Sequence, residues 1–178
     1  EIILSIGVMI IILFDLLFQK QKGLSFTLVQ FLLLIAAYYS LNNKFSPSYS
    51  AYTLNEFTNI FKFILLVGSL TIFHYTYKHL KFLKILKIEY FTISLLGLIG
   101  TMIMISANSL LMLYLGIELL SLSLYALIGF NKKSSLSSEA AIKYYVLGAM
   151  SSGILLFGIS LIYGFTGSIT YDGIASQL

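Results

Sequence analysis

Residues 106–130 read SANSLLMLYLGIELLSLSLYALIGF, and this stretch decides the fold. From Ser109 to Phe130 the run is apolar and long enough to cross a bilayer, whose hydrocarbon core of about 30 Å takes about 20 helical residues. Yet Glu118 stands near its middle. Insertion scales put a charged residue at that depth at roughly 2.5–3.5 kcal/mol, so such a residue marks function by default. On a helix Tyr114, Glu118, Ser121 and Tyr125 fall within a sector of about 60°, whereas Leu119, Leu122 and Ser123 point elsewhere. A polar stripe of that kind suits a hydrated seam inside a bundle. The plainer alternative is a structural carboxyl hydrogen-bonded to one neighbour.

The next apolar run, Glu139 to Tyr163, carries Lys143 about one turn in. Lys143 shares a face with Glu139, Leu147, Met150 and Ile154, so its ammonium needs a partner low in the helix or must snorkel to the surface. The two helices are expected to be antiparallel, with Glu118 and Lys143 about 11 Å apart in height. Their side chains lean in unhelpful directions. A direct salt bridge is therefore not expected unless a helix breaks near either residue, and the coupling expected is water-bridged or relayed. Gly148 with Ser152, and Ala149 with Gly153, are small residues four apart that favour close helix packing, largely opposite Lys143.

Extending the same reading over all 178 residues gives six apolar runs, at about 2–18, 24–40, 57–77, 90–105, 109–130 and 139–163. Residues 164–178 form a polar, glycine-rich connecting tail. The composition agrees: 58% apolar, 10% charged, one proline and a mean hydropathy of +0.94. The expectation is an all-α polytopic membrane protein with about six transmembrane helices in a single domain, 1–178. Asn108 or Ser109 should cap the fifth helix and Ser137 or Ser138 the sixth. Glu139 would then lie in the sixth helix's first turn and complement its dipole. Lysines crowd the loops after the first, third and fifth runs (Lys20, Lys22, Lys78, Lys81, Lys84, Lys87, Lys132, Lys133), while the other side is net acidic. That asymmetry places both ends of the chain away from the cytoplasm or matrix. The first run has neither a basic start nor a small-residue cleavage site, so no cleavable signal is expected.

Several chemistries are excluded. With no cysteine there is no disulfide, iron–sulfur or thiolate site. His74 and His79 are too few for a haem pair or a multi-histidine metal centre. No metal or cofactor site is expected within this chain. The net charge of +4 is better explained by orientation than by nucleic-acid binding. All eleven basic residues are lysines and tryptophan is absent, a bias that looks like an AT-rich organellar genome. Among the remaining polar residues, Lys62 lies near the start of the third run with Thr58 and Ser69 near its face. It is either a second-tier member of a polar network or a snorkelling lysine. Asp15 reads as a surface partner of Lys22, His74 as interfacial, and Gln30 as a buried amide in need of a neighbour.

Residues 106–130, together with SSEAAIKYYVLGAMSSGILLFG at 137–158, resemble the antiporter-like membrane subunits of respiratory complex I. The pattern is most similar to chain 2 of NADH:ubiquinone oxidoreductases. NEFTNIFKFILL at 55–66 is similar to that family's entry into the third helix, and YGFTGSITY at 163–171 to its sixth-to-seventh connection. The resemblance implies the N-terminal part of the antiporter-like fold and a proton-translocating membrane-arm subunit without a redox centre of its own. NADH, FMN, iron–sulfur clusters and ubiquinone would belong to the complex as a whole. By motif, Glu118 falls on the family's fifth-helix glutamate, Lys143 on the sixth-helix lysine and Lys62 on a lysine entering the third helix. The departure is length, since the family's later helices and their lysines have no counterpart here. A separate chain carrying the C-terminal half is expected, or else the sequence is a fragment. Other membrane-arm subunits and lipids would be the remaining partners, in a mitochondrial inner membrane with the N-terminus on the intermembrane-space side.

Three functional readings follow. The first is a Glu118/Lys143 proton relay, with Lys62 in a secondary role, inside complex I. The second is a monovalent cation/proton antiporter subunit. The third is an assembly piece whose charges merely satisfy one another. An enzyme with its own active site is disfavoured, because no nucleophile–base constellation is present.

Overall fold

The computed structural model describes residues 1–17, 22–42, 52–53, 55–83 and 86–177. Among these the chain is almost wholly helical: α1 (Ile2–Leu17), α2 (Lys22–Asn42), α3 (Glu56–Phe82), α4 (Ile88–Ser106), α5 (Leu110–Ile128), α6 (Ser135–Thr166) and α7 (Tyr171–Ala175). Five of them, α2 to α6, are long and apolar enough to cross a membrane. The apolar α1, at 16 residues, is shorter. The expected six apolar helices are thus present, though the first is below the usual spanning length. The short α7 stands where only a connecting tail was expected.

The residues group into two compact units, Glu1–Phe45 with Asn55–Leu96 and Ser46–Leu54 with Gly97–Leu178. The boundary falls inside α4.

In the first unit each helix buries one stripe and leaves the rest apolar and exposed, as helices bathed in lipid do. On α1 the buried positions are Leu4, Gly7, Val8 and Ile11, spaced three and four apart. The side chain of Leu32 from α2 lies directly over Gly7, where a Cβ would collide with it. On α2, Ser25, Phe26, Val29, Leu33, Ala36, Ala37 and Ser40 are buried, while Phe31, Leu34 and Tyr38 are exposed. Three helices meet in an aromatic cluster. Phe26 stacks on Tyr77 with ring centres 3.9 Å apart, and Phe91 lies 5.0 Å from Phe26 and 5.6 Å from Phe73. Such ring pairs add about 0.5–1.5 kcal/mol each beyond their burial.

The second unit is built on a glycine crossing. A Cβ on Gly100 of α4 would lie 2.8 Å from the Gly116 carbonyl oxygen and from the Leu120 nitrogen of α5. One on Gly116 would press on the Gly100 carbonyl and on Met104. Only glycine at both positions lets the two backbones touch, the device that membrane helices use in place of a hydrophobic driving force. The tight Ser106–Ser109 turn that follows is held from two sides. Thr53 N–H donates to the Ser106 carbonyl at 2.9 Å, and Leu110 N–H donates to the Ile169 carbonyl at 2.9 Å.

The caps agree with expectation at α5 and differ at α6. Ser109 caps α5, its hydroxyl accepting from Met112 N–H at 3.2 Å. For α6 the cap is Ser134, whose Oγ accepts from Ser137 N–H at 3.3 Å, rather than Ser137 or Ser138. Helix therefore begins at Ser135, and Glu139 falls beyond the first turn instead of within it. Ser134 is the first hydroxyl after the lysine pair, and nothing in Leu136–Ser138 resists helix. At its other end α6 stops at Gly167, whose φ of +66° is the left-handed conformation that glycine adopts without strain.

Candidate functional site in the helix pair α5 and α6

The polar stripe read on the fifth helix faces α6. Glu118 is half-buried, and its Oε2 accepts a hydrogen bond of 2.6 Å from the Ser152 hydroxyl of α6. Ser152 Oγ in turn lies 3.0 Å from the Tyr114 hydroxyl, one turn back along α5. A carboxylate, a serine and a tyrosine thus form one hydrogen-bonded chain across the two helices. Charge-assisted bonds of this length are stronger than neutral ones, roughly twofold. Among the described residues no lysine or histidine nitrogen lies within ion-pair distance of Glu118.

Towards the lysine-rich end, Tyr125 continues the stripe. Its ring meets Tyr144 and Tyr145 of α6 edge to face, with centres 5.2 and 5.6 Å apart. Its hydroxyl rests against Gly148, where a Cβ would overlap it. Gly148 and Ser152 thus form the face that α6 turns to α5, as the small-residue spacing led one to expect. The second such pair does not pack this way, for nothing lies within 4 Å of a Cβ placed on Gly153.

Lys143 is exposed and pairs with Glu139 at 2.5 Å, one turn back on its own helix. Ser152, level with the Glu118 carboxylate, is nine residues further along α6, or about 13.5 Å. The expected absence of a direct Glu118–Lys143 bridge therefore holds among the described contacts, with a height difference close to that derived from the sequence. The structure does not bring these two candidate site residues together.

Lys62 belongs to the first unit. It is 4% exposed, and its Nζ lies 2.8 Å from Glu1 Oε1. The same oxygen makes no aligned hydrogen bond, so the contact is a charge pair at close range rather than an oriented bond. The snorkelling alternative for Lys62 is set aside by its burial. Asp15 accepts from Ser25 at 3.3 Å; its expected partner Lys22 has a side chain outside the described residues. Gln30 finds a neighbour in His74, with Nε2 and Nδ1 3.1 Å apart. Sequence reasoning missed Ser152 as the acceptor's partner, Glu1 as the counter-ion and the Gly100–Gly116 crossing.

Apolar helices long enough to span a bilayer, with a mid-span carboxylate held by a hydroxyl of the next helix, define a polytopic membrane protein with a polar site inside it. Residues 107–178 match the family model described as NADH:quinone oxidoreductase/Mrp antiporter, transmembrane. The chain belongs with this family of antiporter-like membrane proteins. It is 38% identical to NADH-quinone oxidoreductase subunit N of Ruthia magnifica over 99% of its own length and 37% of the relative's. It is 40% identical to subunit N of Thioalkalivibrio sulfidiphilus over 90% of its length and 34% of that protein. The chain thus spans little more than a third of these relatives. Its fold recurs in respiratory complex I from Thermus thermophilus, with a TM-score of 0.70 and 24% identity, over 94% of this chain and 37% of that one. It recurs again in the archaeal membrane-bound sulfane sulfur reductase, with a TM-score of 0.80 and 24% identity, over 98% and 38%.

Proposed function

We propose that the chain forms the N-terminal part of a proton-translocating membrane-arm subunit of an NADH:quinone oxidoreductase, with Glu118 as its central proton-carrying group. One observation carries this reading: the Glu118 carboxylate sits half-buried at mid-helix on a neutral hydroxyl, with no described cation beside it. A carboxyl so placed can gain and lose a proton without breaking an ion pair. The identity to subunit N over nearly the whole chain supports the same reading. Lys143, on the lysine-rich side of the same helix pair, is the second member of the relay and acts through water. Lys62 is a secondary ionisable group of the first unit, tied to Glu1.

The remaining helices, by the length of the relatives, would be supplied by further sequence or by a separate chain, with other membrane-arm subunits and lipid around them. Quinone, NADH, FMN and iron–sulfur clusters would be handled elsewhere in the complex. The membrane is a respiratory one. The bacterial source of the relatives lends no support to the narrower mitochondrial, AT-rich expectation, which mapping the gene would decide.

The test is Glu118→Gln in the assembled complex, reading NADH-driven acidification of membrane vesicles. A large fall is expected, since one positioned proton-transfer group contributes about 100- to 10,000-fold to its step, with the complex recovered intact. Unchanged pumping overturns the reading. Changed stability with unaltered coupling would instead favour the assembly-piece alternative. The family description also names the Mrp antiporter, which keeps a cation/proton antiporter as a second reading. Sodium-dependent exchange without NADH or quinone would favour it.

A further inference from the structure

We propose that Tyr125 is the proton-relaying residue that joins Glu118 to the lysine-rich side, its hydroxyl parked in a notch that Gly148 provides. The inference rests on the proton-carrying role of Glu118. Gly148 is four residues along α6 from Ser152 and five from Lys143, so the Tyr125 hydroxyl lies roughly midway between the two polar clusters. The steps are about 6 Å and about 7.5 Å along the helix. Each is one or two waters long. The notch is specific, because a Cβ on Gly148 would overlap the hydroxyl and strike Cζ of the ring. The ring itself is clamped edge to face by Tyr144 and Tyr145.

A phenolic hydroxyl both donates and accepts. Tyr125 is half-buried, and among the described residues its hydroxyl has no protein hydrogen-bond partner. Within a membrane span an unsatisfied hydroxyl is disfavoured by several kcal/mol, so the notch calls for water. The step that follows is balanced. Water on the lysine side gives a proton to the phenol oxygen, while the phenol's own proton passes to water on the Glu118 side. Tyr125 ends neutral, with its O–H turned, and no electrons move. Reorientation of that O–H resets it.

The test compares variants in the assembled complex, in vesicles, by NADH-driven proton pumping per quinone reduced. Tyr125→Phe keeps the ring and its two contacts but removes the hydroxyl, and should lower pumping about fivefold or more. Tyr125→Leu should do the same. Adding Gly148→Ser to Tyr125→Leu returns a hydroxyl to the vacated notch from the other helix, and should restore at least about half of the loss. Gly148→Ala in its place fills the same space and should restore none. Normal pumping by Tyr125→Phe, or equal rescue by alanine and serine, overturns the inference and leaves Tyr125 a packing residue. Glu118→Gln is measured alongside. If it pumps normally, the reading beneath fails; if it does not while Tyr125→Phe does, only the role of Tyr125 fails.

Discussion

Lys62 in the first unit and Glu118 in the second are both ionisable residues inside apolar helices, and their surroundings are opposite. Lys62 is almost sealed, with a carboxylate at 2.8 Å. Glu118 is half-buried and leans on a serine hydroxyl that passes on to a tyrosine. In a medium of low dielectric the first arrangement holds both charges, because neutralising either takes from the other a counter-charge at close range. The second leaves the carboxyl's charge uncommitted, since Ser152 can donate to a carboxylate or accept from a carboxylic acid. Burial alone therefore does not distinguish the two residues. The kind of partner does.

The largest effect expected from this contrast is on stability in the first unit. Lys62→Met should destabilise it by about 3–5 kcal/mol, the range for removing one member of a buried ion pair. Glu1→Leu on the same background should recover most of the loss. Denaturant titration of the reconstituted protein, as a double-mutant cycle, reads both. If Lys62→Met proves silent, the pair is not structural and Lys62 moves closer in kind to Glu118.

Much of this architecture is legible in the sequence, and the misses have a common physical cause. The fifth helix, its Ser109 cap and the Tyr114–Glu118–Tyr125 stripe follow from periodicity and residue type within one segment. Ser152 does not, because a helical wheel describes one helix and says nothing of the register of two. The available signal was the Gly148/Ser152 spacing, which marks the closest approach of α6 and hence the level at which a short hydroxyl can reach α5. Lys62 presents the same difficulty. Its spacing to Leu66, Ser69 and Phe73 places it on the buried stripe of α3, but its length permits snorkelling until a counter-ion is seen. Nothing in the sequence pairs it with Glu1, which lies 61 residues away. The Gly100–Gly116 crossing was open to inspection as glycines inside apolar runs, yet which glycines meet depends on how two helices cross.

A smaller effect is expected at Ser152. Ser152→Ala removes a hydrogen bond to a charged group, worth about 1.5–3 kcal/mol, and leaves Glu118 with no described partner. Pumping should fall with the complex still assembled, and Ser152→Thr, which keeps the hydroxyl, should retain it. Equal effects of alanine and threonine would show crowding at the interface rather than a hydrogen bond.

The smallest effect concerns Lys143, and it separates two explanations most cleanly. Its pair with Glu139 is one turn apart on an exposed face, with side chains 71% and 59% exposed. Pairs of this sort contribute about 0.3–0.5 kcal/mol, so Lys143→Gln should leave stability almost untouched. If Lys143 is only a surface charge, pumping is untouched as well. If it feeds the Glu118 site through water, pumping falls at unchanged stability, and Lys143→Arg, which keeps a charge at that height, restores part of it. Glu139→Gln then becomes informative in the other direction. It releases the ammonium from its only described counter-charge, so a relay lysine should still work, whereas a lysine whose sole task is that pair should behave as Lys143→Gln does. Lys62 admits no such separation, because there stability and charge are lost together.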